Sequence, residues 1–406
     1  MTGPVHALGD RGSAVRQIAH LLRTLGLLQT PDTGDDLFDQ ALDRAVRAFQ
    51  QDRGLLVDGV VGTETYRLLE EARWDLGDRV LNYRPGRPLA GDDVLALQRR
   101  LLELGFDVGR VDGIFGAQTE HALREFQRNI DVPDDGTCGP ATLRALQRLT
   151  PLVSGGAPNT LRVQEHIREA GPQLAGKVLV IDPVDHVPGA GLTPAQATLA
   201  SEAVLDLARR VEGRLVPLGV LAHLTRGVHA SGGTGAGTAA QEPTGKRAAQ
   251  RSEGFAEADR AGFANRVRAD LTLTLHIDDS PHTEACGVAT YFYGIEGHGA
   301  WSAAGERFAG LVQREIVART DLVDLRIHPK TWDILRRTTM PAVRIDLGYV
   351  TNPSDAARLA DPAFRDVVAE AIVVAVQRFY LSPETDARTG MMTLGQLREA
   401  LDRLDR

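Results

Sequence analysis

The sequence predicts a multidomain protein: two all-α modules of three helices each, then an α/β domain whose mixed, mostly parallel sheet is flanked by helices. Three observations predict it. A pattern of apolar helix positions, Asp-Gly turns and a Phe-Gln pair occurs twice before residue 150. A stretch with Pro151 and Ser154-Gly155-Gly156-Ala157-Pro158 follows and reads as a linker. Beyond it, short apolar runs alternate with helix-period segments, the pattern of strands covered by helices on both faces.

The repeat is specific. Phe49-Gln50 followed by Asp58-Gly59-Val60-Val61-Gly62-Thr63-Glu64-Thr65 matches Phe126-Gln127 followed by Asp135-Gly136-Thr137-Cys138-Gly139-Pro140-Ala141-Thr142. Upstream, Val15, Ile18, Leu22, Leu25 and Gly26 echo Val94, Leu97, Leu101, Leu104 and Gly105. Val94, Leu97, Leu101 and Leu104 fall on one face of a helix that ends at Gly105. The loop Asp112-Gly113-Ile114-Phe115-Gly116 needs glycine for tight turns of positive φ, and Thr119 is placed to start the next helix. That helix turns Ala122, Leu123, Phe126 and Gln127 inward, and a third follows around Leu143 and Leu146. The first copy departs from the pattern: its middle turn, Asp35-Asp36-Leu37-Phe38-Asp39-Gln40-Ala41-Leu42, lacks both glycines and the threonine. Asp-Gly turns and Phe-Gln pairs serve folding first, so a binding role attaches to the module rather than to those residues. The modules span 6–75 and 84–149, the linker 150–175, the α/β domain 176–381 and a tail 382–406.

In the α/β domain, Val178 to Ile181 is an apolar run suited to a buried strand. An amphipathic helix over 196–213 precedes a strand at 220–226, and a Gly/Ala/Ser-rich insertion from Gly227 to Glu253 reads as mobile. A helix through Ala264-Asn265 leads to strands at 271–276 and 288–293. A helix over 302–320, a strand at 342–347 and a helix over 362–380 complete the order.

Composition narrows the function classes. The protein carries 46 basic and 54 acidic residues, a net charge of −8, so it has no electrostatic footprint for nucleic acid and no polybasic membrane anchor. Lysine occurs only at Lys177, Lys246 and Lys330, a compositional bias to which no ligand is assigned. Two distant cysteines, Cys138 and Cys286, argue against a disulfide framework or a thiolate metal site. The opening MTGPVHALGDRG has neither a basic n-region nor an apolar h-region, and no run reaches 18 apolar residues. The expectation is a cytoplasmic protein without a transmembrane segment.

Val-x-x-Leu-Gln, Asp-Gly-x-Phe-Gly-x-x-Thr, Phe-Gln and Asp-Gly-x-x-Gly-x-x-Thr together resemble the peptidoglycan-binding domain that accompanies bacterial wall hydrolases. In the α/β domain the signatures are Val180-Ile181-Asp182-Pro183, Leu224-Thr225-Arg226, Arg260 to Asn265, Ala269-Asp270-Leu271, Leu275-His276, and Met340-Pro341-Ala342-Val343 through Ile345-Asp346-Leu347-Gly348-Tyr349-Val350-Thr351-Asn352. Their order resembles the zinc-dependent N-acetylmuramoyl-L-alanine amidases, which cut muramic acid from the stem peptide.

That resemblance implies a zinc ion held by His, Glu and His with a fourth position open to water, and a separate Glu as general base. The first His follows Asp-Pro-Gly in the family. Here Asp182-Pro183-Val184-Asp185-His186 puts Asp185 at the ligand position and His186 one residue late. The Glu ligand, counted back from Leu207-Ala208, falls on Ala200, which has no donor atom, and Glu202 lies about 200° further round the helix. His276 stands at the second His; it reads either as that ligand or as a strand-end histidine held by a backbone carbonyl. The base falls at Asp346, one methylene short, and a retraction of about 1 Å costs on the order of 10²-fold in rate. Its other reading is the polar floor of a disused cleft. His186, His223 and His229 read as solvated, with Asp185, His186 and His276 the set able to form a weak adventitious metal site.

The whole arrangement is similar to a group of actinobacterial amidase-like proteins. It implies a non-catalytic, cytoplasmic regulator of the UDP-N-acetylglucosamine enolpyruvyl transferase that commits precursor to peptidoglycan, under a Ser/Thr kinase and with no cofactor. Thr389 and Thr393 in the polar tail stand where that group is phosphorylated, which would add about −1.5 to −2 charges. Two other readings remain: a working zinc amidase with a rearranged site, and a binding protein for peptidoglycan or lipid-linked precursors.

Overall fold

The computed structural model describes residues 5–29, 36–149, 171–186, 192–226, 257–295 and 300–381. The tail with Thr389 and Thr393, the 227–253 insertion with His229 and most of the linker lie outside the described residues. The chain divides into two compact units, Met1–Arg162 with Gly294–Trp301, and Val163–Tyr293 with Ser302–Arg406.

The first unit holds the repeat. Module 1 has helices α1 (Ser13–Thr24), α2 (Gln40–Asp52) and α3 (Thr63–Ala72); module 2 has α4 (Asp92–Glu103), α5 (Ala117–Asn129) and α6 (Pro140–Arg148). Each module surrounds its own core, with Ile18, Phe38, Phe49 and Leu69 buried in the first and Leu97, Phe115, Phe126 and Leu146 in the second. Corresponding two-stranded bridges close both, His6 with Val61 and Leu81 with Cys138. A bidentate pair joins the modules, Arg53 to Asp92 at 2.9 and 2.7 Å.

The motif glutamines explain the Asp-Gly turns. Gln127, 1 % exposed, donates to Asp135 Oδ1 (3.1 Å), the Thr137 carbonyl (3.0 Å) and Thr142 Oγ1 (3.1 Å), and accepts from the Gly136 amide (2.9 Å). Gln50 clamps Asp58, Val60 and Gly59 in the same way. Gln98 holds the middle loop of module 2 through Asp112, Gly113, Ile114 and Thr119. A buried amide with all its partners is stabilising, whereas the same group unpaired costs about 1–3 kcal/mol. Each clamp needs a left-handed glycine beneath it, and Gly59, Gly113 and Gly136 have φ of 72°, 71° and 70°. Two expectations are corrected here. Gly116 has φ −92° and is itself the N-cap of α5, so Thr119 does not start that helix; its hydroxyl accepts from Gln98 instead.

The second unit contains the α/β fold. Its strands are β1 (Val178–Pro183), β2 (Leu221–Leu224), β3 (Leu271–Asp278), β4 (Val288–Ile295), β6 (Asp324–Lys330) and β7 (Ala342–Tyr349), while β5 (Ala300–Trp301) and the last two residues of β4 fall in the first unit. Its helices are α7 (Pro194–Leu215), α8 (Glu257–Arg266), α9 (Ala303–Arg319), α10 (Asp333–Arg336), α11 (Pro353–Ala360) and α12 (Pro362–Tyr380). The sheet runs β2-β1-β3-β7-β4, parallel through β7, with β4 antiparallel to β7; β6 and β5 pair with β4. The sequence reading missed β5, β6, α10 and α11. In β6, Arg326 takes a φ of 69° and the register on β4 shifts, which disguises the strand period.

Strand alternation divides the sheet into two chemical faces. In β3, Leu271, Leu273, Leu275 and Ile277 join the main core, alternating with Thr272, Thr274, His276 and Asp278. In β7, Val343, Ile345 and Leu347 join the same core, opposite to Arg344 and Asp346. That core packs against α7, α9 and α12. The other face is polar at these β3 and β7 positions, and α8 and α10 pack small apolar clusters on the rest of it.

Candidate functional site

The parallel register of β3 and β7 sets His276 beside Asp346. Their side chains approach to 3.2 Å, Nδ1 to Oδ1. Two residues earlier on β7, and therefore on the same face, Arg344 extends over the pair. Its Nε donates to Asp346 Oδ1 at 2.7 Å, and Nη2 donates to Asp346 Oδ2 at 3.3 Å and to His276 Nδ1 at 2.8 Å. Nη1 lies 3.8 Å from Glu257 of α8, and the Trp332 ring stacks on the guanidinium at 4.2 Å. The three side chains are nearly enclosed, with Arg344 13 %, Asp346 7 % and His276 15 % exposed.

This geometry dictates the protonation states. A guanidinium N–H has no lone pair to offer, so Nδ1 of His276 accepts from Arg344 and the ring proton sits on Nε2. Burial, and then the Arg344 charge, push the His276 pKa down to about 4, so the ring is neutral at pH 7. Burial raises the Asp346 pKa, but the Arg344 guanidinium outweighs it and holds the carboxyl well below its usual range. Asp278, at the end of β3, is pushed up to about 6 by burial and by the charge of Asp346. A carboxylate with both oxygens on one guanidinium and so low a pKa has little affinity for a proton, the reverse of what a general base requires.

The structure reassigns the two histidine-loop residues. His186, expected in solvent, stacks on His276 with ring centroids 4.7 Å apart, and its Nε2 meets the Ile277 carbonyl at 2.7 Å. The backbone carbonyl contact anticipated for His276 thus belongs to His186, and His276 is held by Arg344 and Asp346. Asp185, placed by sequence at the first ligand position, is exposed and pairs with Arg226 at 2.9 Å. Ser201 fixes the loop between them, its Oγ accepting from the His186 amide at 2.9 Å. His223 is half-buried, with its ring against Phe263 at 6.4 Å rather than free in solvent.

Ala200 is 0 % exposed and belongs to the main core, while Glu202 on the next turn face is exposed. The residues present do not fit a zinc ion. Zinc takes three or four N, S or O donors converging at about 2.0–2.3 Å. Here the glutamate position carries a methyl group, Asp185 is engaged elsewhere, and the His276 lone pair is taken by a cation. Among the described residues no group of three His, Cys, Asp or Glu is placed to hold a metal, so the set Asp185, His186 and His276 does not form one.

Sequence reasoning missed Arg344 because it scored motif positions one at a time. The signal was available: in a strand, i and i−2 share a face, so an Arg two residues before Asp346 must enter the same cleft. Its neighbours Tyr291 and Trp332, whose rings lie 4.8 Å apart, had no such signal, because Trp332 reaches the site from outside any predicted element.

Residues 186–378 match the N-acetylmuramoyl-L-alanine amidase family, and residues 11–69 and 90–146 each match a peptidoglycan binding domain. The N-acetylmuramoyl-L-alanine amidase CwlM of Mycobacterium tuberculosis is 44% identical over 404 residues, covering 96% of this chain and 93% of that protein. The germination-specific N-acetylmuramoyl-L-alanine amidase of Bacillus subtilis is 25% identical over 210 residues, 51% of this chain and 81% of that one. The spore cortex-lytic enzyme of Bacillus cereus is 45% identical over 64 residues, 16% of this chain and 25% of its own. Similarity to CwlM along nearly the whole length shows that the chain belongs to the N-acetylmuramoyl-L-alanine amidase family, as a member with two N-terminal peptidoglycan-binding modules.

Proposed function

We propose that this protein does not hydrolyse the muramoyl-peptide bond and instead regulates peptidoglycan precursor synthesis from the cytoplasm. One observation carries the non-catalytic part: Ala200, where the resemblance places the glutamate ligand, is sealed in the hydrophobic core, and among the described residues no group of three His, Cys, Asp or Glu is placed to hold a metal. The Asp346–Arg344 pair supports it from the side of the general base. The regulatory part rests on the similarity to CwlM and on the resemblance described above. The partners are the UDP-N-acetylglucosamine enolpyruvyl transferase and a Ser/Thr kinase acting on Thr389 and Thr393.

Elemental analysis of the full chain, purified without chelator, tests the first part together with an assay for stem-peptide release. Zinc well below one per chain and no release are expected. One tightly held zinc with cleavage would establish the second reading, a working zinc amidase, which the name of the relative favours. For the regulatory part, the transferase rate is measured with the full chain before and after kinase treatment. Phosphorylation-dependent stimulation that the double variant Thr389→Ala/Thr393→Ala abolishes is expected. An unchanged rate would remove the regulator reading, and affinity of the chain for muropeptides alone would point to a binding protein.

A further inference from the structure

We infer that Arg344 is a built-in cation: its guanidinium satisfies the enclosed carboxylate and imidazole of the cleft, so that the site is built around an arginine in place of a metal ion. The polar face of the sheet presents Asp346, His276 and His186 together, a carboxylate and two imidazoles, which are donor kinds that zinc accepts. An enclosed carboxylate needs a positive partner, since an unpaired charge of this kind is strongly destabilising. A metal ion would be one such partner. Here Arg344 is the partner, bonded through Nε and Nη2 to both oxygens of Asp346 and through Nη2 to His276 Nδ1.

The guanidinium is also held from behind. Glu257 of α8 faces Nη1, and Trp332 covers its plane, so elements on both sides of the cleft converge on one cation. This is more than an incidental ion pair. The planar fork matches the carboxylate edge, and the aromatic face suits the delocalised charge, two features that lysine does not offer. The loss of metal and the gain of the arginine are then two halves of one change, and restoring ligands alone does not reopen the site while Arg344 remains.

The inference shares with the proposed function the premise of a metal-free site but makes no use of the regulatory role. Its test is thermal unfolding of the full chain with and without added Zn²⁺, for the native protein, Arg344→Leu and Arg344→Lys. The native protein is expected to show no zinc-dependent rise in Tm. Arg344→Leu, which strands Asp346, should lower the Tm of the α/β domain by about 10 °C. Added zinc should restore none of that loss, because among the described residues no three His, Cys, Asp or Glu are placed to hold it and His186 stays on the Ile277 carbonyl. Arg344→Lys, which keeps the charge without the fork, should fall between and gain nothing from zinc, and it serves if the leucine variant does not fold. An Arg344→Leu protein as stable as the native one, or one whose Tm zinc raises, overturns the inference and leaves the non-catalytic reading standing. Stoichiometric zinc in the native protein overturns both.

Discussion

The two modules of the repeat share a fold and differ at one loop, and the difference shows how buried polar networks change. Module 2 has two glutamine clamps, Gln98 on the middle loop and Gln127 on the later one; module 1 has only Gln50. One residue after Ile18, where module 2 has Gln98 after Leu97, module 1 has Ala19, 5 % exposed. The glycines and the threonine that Gln98 would serve are absent from the same copy. The backbone pairing survives, since Phe38 donates to the Asp10 carbonyl as Phe115 does to that of Leu89, at 2.8 Å in both. Where Gly116 starts α5 without a side-chain cap, Asp39 starts α2 by accepting from the Leu42 amide at 2.8 Å. The clamp is absent from module 1 together with the glycines and the threonine it holds in module 2.

The α/β domain follows the same rule with higher stakes. An enclosed Asp346 without a cationic partner would be a stranded buried charge, and Arg344 supplies that partner. Partly satisfied networks are worse than either a complete network or an apolar core, so members appear and disappear as sets.

The comparison can be broken most forcefully at Ala200. Ala200→Glu puts a carboxylate into a fully enclosed apolar position and should cost about 3–5 kcal/mol of α/β-domain stability in urea unfolding. A variant as stable as the native protein would mean that the pocket still accepts a ligand there. The modules provide the next test. Gln127→Ala strands the Gly136 amide and should cost about 2–3 kcal/mol, read as faster hydrogen exchange at that amide. Ala19→Gln should destabilise module 1 rather than improve it, because its middle loop offers none of the partners that Gln98 has; a stabilised variant would refute the set-wise view.

A smaller effect depends on pH. The Asp278 pKa, raised to about 6, means that the folded state keeps its proton longer than the unfolded chain. The stability this contributes is complete below the unfolded value of about 4 and is lost as pH rises through about 6. Asp278→Asn should therefore be more stable than the native protein by roughly 2 kcal/mol at pH 8, with the two converging near pH 4. Equal gains at both pH values would assign the effect to packing. The smallest expected change is at the helix starts. Asp39→Ala should cost about 1 kcal/mol, while Gly116→Asp should gain a few tenths in module 2, both read by urea unfolding.

Much of this organisation was legible in the residues. The repeat and the order of strands and helices in the α/β domain depend on local periodicity and spacing, which a linear reading carries well. Short elements were harder. Strand β6 hides behind a left-handed Arg326, and α10 spans only Asp333–Arg336, too short for a period to show. The histidine loop was misread by one residue, because a loop has no period to fix which of Asp185 and His186 turns inward.

By itself, then, the sequence determined the architecture, since it follows from residue identity and period along the chain. Only the tertiary structure decided what fills the cleft. The register of β3 against β7 brings His276 to Asp346, and the packing of α8 and Trp332 above that face holds Arg344 over them. His276 and Glu257 stand 68 and 87 residues from Arg344 in the chain, and a charge finds its partner through space, where burial makes leaving it unpaired too costly.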